Sequence, residues 1–138
     1  MALHYLLDTN ICIYIARRKP AEVEKRFEKL NVGDAAISTI TFGELLYGAA
    51  KSQSSAIANA KLKQLSELLP VLALDESCAQ AYGEIRAALE AKGQIIGNND
   101  LWIAAHARSA RLILVTNNER EFKRVPGLKV ENWVKAKV

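Results

Sequence analysis

Long apolar runs, cysteine pairs and histidine clusters are all missing from this 138-residue chain, and each absence narrows what it can be. No stretch approaches the roughly 18 apolar residues of a membrane span. The N-terminus has no basic segment followed by an apolar one, so no signal peptide is expected. Its two cysteines, Cys12 and Cys78, lack metal-ligand spacing. Both lie among apolar neighbours and read as small buried hydrophobes in a reducing compartment, the cytoplasm. No repeat, low-complexity tract or long linker divides the chain, so one domain spanning residues 1–138 is expected. What is present is an ordinary globular balance with a net charge of +4 and a sequence pI of about 9.1. That charge suits a polyanionic partner and equally a lysine-rich soluble surface.

Short apolar runs alternate with amphipathic segments. Leu3 to Leu7 reads as a buried strand that stops at Asp8-Thr9-Asn10, where a helix begins. Pro20 fits the first position of a second helix, with Val23, Phe27 and Leu30 at helical spacing. Asn31 to Asp34 is a turn, Ala35 to Ser38 a strand, and Thr39 to Ala50 a helix. Ile57, Leu62, Leu65, Leu68 and Leu69 mark a further amphipathic helix ended by Pro70. Val71 to Leu74 is strand-like. Asp75 suits the cap of a helix carrying Cys78, Tyr82, Ile85 and Leu89, with Gly93 at its end. A helix opened by Asn98-Asn99-Asp100 comes next. Leu112 to Val115 is a continuous aliphatic strand, as expected where both faces are covered. Glu119 to Lys123 suggests one helical turn, and Leu128 to Trp133 an edge strand. The alternation predicts an α/β sandwich with a mainly parallel sheet.

Three acids stand at or near the starts of apolar helices, whereas the other acids mostly lie on polar faces. Asp8 ends the first strand, where open parallel sheets collect ligands, although an Asp there is also a favoured helix cap. Glu44 completes a T-x-x-E spacing with Thr41, which suits a capping box. If the helix begins earlier, Glu44 is mid-helix beside Leu45 and Leu46 and needs a partner. Asp100 complements the positive end of its helix, worth about 0.3–1 kcal/mol, with Asn98 or Asn99 as the cap. Converging carboxylates repel unless a cation neutralises them. Hard oxygen ligands with few histidines favour Mg²⁺ or Mn²⁺ over zinc.

These stretches resemble the signatures of PIN-domain ribonucleases and, within them, of the VapC-type toxins of type II toxin–antitoxin pairs. The resemblance lies in Leu6-Leu7-Asp8-Thr9-Asn10-Ile11, Ser38 to Ala49, and Ile96-Gly97 to Asp100 with Ile103-Ala104-Ala105-His106-Ala107. It continues through Leu114-Val115-Thr116-Asn117-Asn118, Arg120-Glu121-Phe122, Val125 to Leu128 and Glu131-Asn132-Trp133, and so runs the length of the chain. It implies a PIN-like three-layer sandwich and a metal-dependent endoribonuclease that restrains translation and growth. By that resemblance Asp8, Glu44 and Asp100 fall on the family's metal-binding acids, with Asp8 and Asp100 as ligands of Mg²⁺ or Mn²⁺. Many relatives carry an aspartate after the last core strand, where this chain has Asn118. Asn118 can coordinate or orient water through its carbonyl, and Glu121 or Glu119 is available to supply the missing carboxylate. Thr9, Asn10 and Thr116 would orient the acids or the water. His106 is expected to be structural or interfacial.

Arg17, Arg18 and Lys19, and later Arg108, Arg111, Arg120, Lys123 and Arg124, are the candidates for tracking a phosphate backbone. The chain shows no aromatic-interleaved basic motif of the kind that stacks single-stranded bases. RNA choice is therefore expected from shape and a few contacts, and the resemblance implies a structured RNA such as tRNA as substrate. The resemblance further implies a homodimer, a cognate VapB-type antitoxin and a larger toxin–antitoxin assembly, away from membranes. The antitoxin would lay a segment over a groove walled by the helix at Ile57 to Leu69 and the one before it. The alternative is a catalytically silent module of the same fold that binds an antitoxin or RNA without cleaving. A signalling receiver, which shares the first-strand acid, is disfavoured because no lysine stands after the late strand.

Overall fold

A computed structural model describes residues 3–135; the outermost residues of the expected 1–138 domain lie outside that range. Five parallel strands form one sheet in the order β3-β2-β1-β4-β5. They are β1 (Tyr5–Leu7), β2 (Ala35–Ser38), β3 (Val71–Leu72), β4 (Ile113–Val115) and β5 (Val130–Glu131). The helices between them are α1 (Thr9–Arg17), α2 (Ala21–Glu28), α3 (Thr39–Ala50), α4 (Ser55–Leu68), α5 (Glu76–Ala91), α6 (Asn98–Ser109) and the single turn α7 (Glu119–Phe122).

The two-residue period of the strands sorts side chains into two cores. Leu6 of β1 and Leu114 of β4 point to the side packed by Ile85 and Leu89 of α5 and Leu101 and Ile103 of α6. Leu7 and Val115, their neighbours in register, point to the other side with Ile11 and Cys12 of α1, Val23 of α2 and Leu65 of α4. Every residue of β2 is buried, as a central parallel strand requires. The α/β sandwich expected from the sequence is therefore observed, with helices on both faces.

Local chemistry places most boundaries. The Asp75 side chain accepts from the Cys78 amide and opens α5 as expected, and Gly93, at φ +65°, turns the chain out of it. Both cysteines are buried and free. Three expectations are corrected. Pro20 stands one residue before α2, in extended backbone, rather than as its first helical residue. Of Val71 to Leu74 only the first two residues pair, and of Leu128 to Trp133 only Val130 and Glu131 do. No helix of the described residues is long and apolar enough to cross a membrane.

Candidate active site

Strand β1 sits in the middle of the sheet, so the residue after its last position lies at the centre of the carboxyl edge. Asp8 is that residue. Its amide donates to the Val115 carbonyl (3.0 Å), continuing the β1–β4 ladder by one step. Its side chain caps α1, Oδ1 accepting from the Ile11 amide at 3.0 Å, while Oδ2 accepts the hydroxyl of Thr116 from the end of β4. The capping and site readings of Asp8 thus describe one carboxylate. It is only 6 % exposed, and burial raises its pKa more than these hydrogen bonds lower it, with the Glu44 charge adding to the rise.

Helix α3 begins earlier than a capping box at Thr41 would require. Ser38 caps it by accepting from the Ile40 amide (3.2 Å), so Glu44 lies mid-helix and the capping-box reading is overturned. Thr41 is buried instead, its hydroxyl without a partner among the described residues. Glu44 finds its partner across the site: Thr9, the first residue of α1, donates its hydroxyl to Oε1 at 2.6 Å. Asn10, beside it, is exposed and makes no side-chain hydrogen bond among the described residues.

Asp100 lies in the first turn of α6. Gly97, not Asn98 or Asn99, is the cap residue, and no side chain caps this helix. Asn98 instead accepts the Tyr82 hydroxyl at 2.7 Å. The Asp100 carboxyl is pushed up to about 6, first by burial and then by the charges of Glu121, Glu44 and Asp8. Asp100 therefore senses all three other acids, and the cluster draws on α1's cap, α3, α6 and α7.

The loop after β4 brings Asn118 and Glu121 together. Asn118 donates its side-chain amide to Glu121 and its backbone amide to Thr116 Oγ1 at 2.9 Å. Together these bonds tie Glu121 to the loop that holds Thr116 on Asp8. Glu119 is directed elsewhere, to the Asn132 amide (3.1 Å) and the Lys123 ammonium (3.6 Å). Of the two substitutes, Glu121 joins the cluster and Glu119 does not.

Among the described residues no basic side chain is ion-paired with Asp8, Glu44, Asp100 or Glu121. Among the described residues no three His, Cys, Asp or Glu side chains stand close enough together to hold a metal ion. The donor set nonetheless suits a hard divalent cation. It is all oxygen, partly buried and mutually repelling, and the amide of Asn118 leaves its carbonyl oxygen to ligate or to orient water. His106 lies outside this set. It is buried in α6 with Nδ1 unpartnered among the described residues, and burial lowers its pKa.

Two concavities adjoin the acids. An apolar groove of about 400 Å³ runs between α1, α3 and α4, lined by Cys12, Ile13, Leu45, Ile57, Leu62 and Leu65, and ends at Glu44. A wider cavity of about 590 Å³ opens on the other side of Glu44, between the start of α3 and the start of α6. Thr9, Ile40, Gly43, Tyr47 and Asn99 line it. Gly43, Tyr47 and Asn99 do not stand out as candidates from sequence alone. Their only signal there is a mid-helix glycine and an aromatic one turn from Glu44. Of the basic candidates, Arg108 is engaged by Glu84 (2.5 Å) and the Pro126 carbonyl, Arg124 by the Ile95 carbonyl, and Lys123 by Glu119.

A parallel sheet bearing acids from four segments at its carboxyl edge defines a nuclease-like centre, and residues 5–128 match the PIN domain. The chain belongs to the PIN-domain family. Its relatives include ribonuclease VapC2 of Haemophilus influenzae, 47 % identical over 132 residues that cover 96 % of this chain and 99 % of that protein. The tRNA(fMet)-specific endonuclease VapC of Shigella flexneri is also 47 % identical, over 131 residues covering 95 % and 98 %. Among solved structures, the DNA-bound VapBC complex of Salmonella typhimurium superposes with a TM-score of 0.90 at 43 % identity, covering 96 % of this chain and 99 % of that one.

Proposed function

We propose that this chain is the toxin of a VapBC-type toxin–antitoxin pair and a metal-dependent endoribonuclease acting on structured RNA, tRNA in particular. The observation that carries the reading is the placing of Asp8, Glu44, Asp100 and Glu121 near one another at the carboxyl edge, where burial first and then the charges of the other three acids raise the Asp100 carboxyl to about 6. The relatives named as ribonucleases and as a tRNA(fMet)-specific endonuclease support the substrate class.

Asp8 and Asp100 would hold Mg²⁺ or Mn²⁺. Such an ion polarises a phosphoryl oxygen and acidifies water. The protein's part is positional. Thr116 and the Ile11 amide fix both oxygens of Asp8, so that carboxylate enters the site in one orientation. Thr9 holds Glu44 by Oε1, which leaves Oε2 to orient the attacking water. Asn118 supports Glu121 with its amide and keeps Oδ1 for the same water.

The apolar groove that ends at Glu44 suits a segment of a VapB-type antitoxin. A basic residue on that segment would meet the acids and oppose the metal electrostatically. A homodimer, in turn joined by antitoxin into a larger assembly, completes the reading.

The test is cleavage of total cellular RNA by antitoxin-free protein with Mg²⁺, with Mn²⁺ and with chelator, beside Asp100→Asn. Discrete fragments that need both metal and Asp100 are expected, with their ends mapping to tRNA. No cleavage by folded protein under either metal overturns the reading, and cuts scattered over unrelated RNAs overturn the substrate class.

A further inference from the structure

The cavity between the starts of α3 and α6 has features the acid cluster does not need. Gly43 sits mid-helix with ordinary backbone, where glycine costs about 1 kcal/mol relative to alanine. A Cβ built there meets nothing within 4 Å, so no neighbour in the chain explains the missing side chain. The space it leaves belongs to the cavity. One turn on, Tyr47 is 66 % exposed, the most exposed large apolar side chain among the described residues. It lines the same cavity, and the Lys51 ammonium stands 5.1 Å from its ring centroid. Across from them Asn99, adjacent to Asp100, offers both an amide donor and an acceptor. Neither is used within the described residues.

An exposed aromatic, an open floor, a nearby positive charge and a free amide are the elements of a single-stranded nucleotide site. Bases stack on aromatic faces, a cation meets the phosphate, and an amide reads a base edge. Glu44 and Thr9 form one wall of the cavity, so a nucleotide held there leads directly to the acids.

We infer that this cavity is a base-binding subsite, in which Tyr47 stacks an unpaired base of the RNA beside the scissile phosphate while Gly43 leaves room for it and Asn99 contacts its edge. The inference rests on the endoribonuclease reading and names how that site selects an unpaired nucleotide. It adds one stacked base to the shape and few contacts from which RNA choice is expected.

The test compares the full chain with Tyr47→Ala, Tyr47→Phe and Gly43→Leu. Cleavage of total tRNA with Mg²⁺ by the unmodified chain is measured first, since its absence counts against the nuclease reading itself. Binding of a ten-nucleotide oligoribonucleotide carrying 2-aminopurine is then monitored by fluorescence in chelator, independent of cleavage. Tyr47→Ala is expected to weaken binding and raise KM about tenfold, the scale of one lost stack, with kcat within about twofold. Tyr47→Phe keeps the ring and stays near the unmodified chain. Gly43→Leu is expected to raise thermal stability through helix propensity while weakening RNA binding, an opposition that misfolding cannot produce.

Unchanged binding, quenching and KM in both Tyr47→Ala and Gly43→Leu, in an active parent, overturn the inference alone. So does a shift of Tyr47→Ala to monomers by sedimentation with KM unaltered, which would assign the face to a second copy of the chain. Loss of antitoxin binding in Tyr47→Ala with RNA binding intact would likewise assign it to the partner.

Discussion

Thr116 donates its hydroxyl to Asp8 across 108 positions of sequence, joining the ends of the two central strands at the carboxyl edge of the sheet. The same hydroxyl accepts the Asn118 amide. One oxygen therefore orients both Asp8 and the loop that carries Asn118. Thr116→Val keeps the shape and removes both bonds. It should destabilise the fold by about 1–3 kcal/mol, because a buried carboxylate loses its donor. It should also raise the pH at which Asp8 ionises, moving the acidic limb of the rate profile upward. Denaturant titration and a pH–rate profile read the two effects, and an unmoved limb contradicts the second.

The raised Asp100 carboxyl sets a pH dependence. Its folded-state pKa of about 6 exceeds the ordinary 3.8, so between those values the folded state holds more protons than the unfolded one. Metal-free stability should therefore fall as pH rises from about 4 to about 6, then level off. Asp100→Asn should reduce that slope, leaving the part that the raised Asp8 carboxyl contributes, and raise the metal-free melting midpoint at pH 7 while lowering cleavage by about 100-fold or more. A variant less stable than its parent at pH 7 without metal counts against repulsion at this site.

Protons and divalent cations compete for the same carboxylates. At limiting Mg²⁺, cleavage should rise with pH through about 6. Raising Mg²⁺ should carry that rise to lower pH. A midpoint indifferent to metal concentration would separate Asp100 from metal binding.

The replacement at the fourth acid gives a contrast between neighbours. Glu121→Gln should weaken the Mg²⁺-dependent rise in melting temperature, whereas Glu119→Gln should not, because Glu119 is turned to Asn132 and Lys123. Asn118→Asp should cost roughly 1 kcal/mol without metal, a hydrogen bond exchanged for a like charge. It should then respond more strongly to Mg²⁺. Equal behaviour of the two glutamine variants removes Glu121 from the site.

Ile57 rims the apolar groove at 60 % exposure and contributes little to the core. Ile57→Glu should shift stability by no more than about 0.5 kcal/mol. It should weaken antitoxin binding by about tenfold or more and leave RNA cleavage intact. Isothermal titration with the intact antitoxin, beside a cleavage assay, reads both. Undiminished binding would place the antitoxin elsewhere.

The chain is most readable from sequence where one pattern has one outcome. Leu112 to Val115 has to be a covered strand, and Asp75 caps its helix as expected. It is least readable where two side chains compete to start a helix. The T-x-x-E spacing at Thr41 looks like a capping box, but Ser38 lies three residues earlier and takes the cap, which turns Glu44 inward to Thr9. Gly97 likewise pre-empts Asn98 and Asn99. Glu121 and Glu119 are equivalent in sequence and are separated only by the direction each faces. The cavity beside Tyr47 has no sequence signal beyond a mid-helix glycine and the aromatic itself, since its other wall comes from α6, far along the chain.

The order of the strands governs when the centre comes into being during synthesis. Strand β1 is made first, yet it stays an outer strand until β4 is threaded in alongside it. Asp8 leaves the ribosome long before Thr116, and Asp100 and Glu121 also come late. A nascent chain cut short before β4 carries Asp8 without Thr116, one of the two donors that fix its carboxylate. The acid cluster is therefore completed only when the last third of the chain has been made and β4 has joined β1.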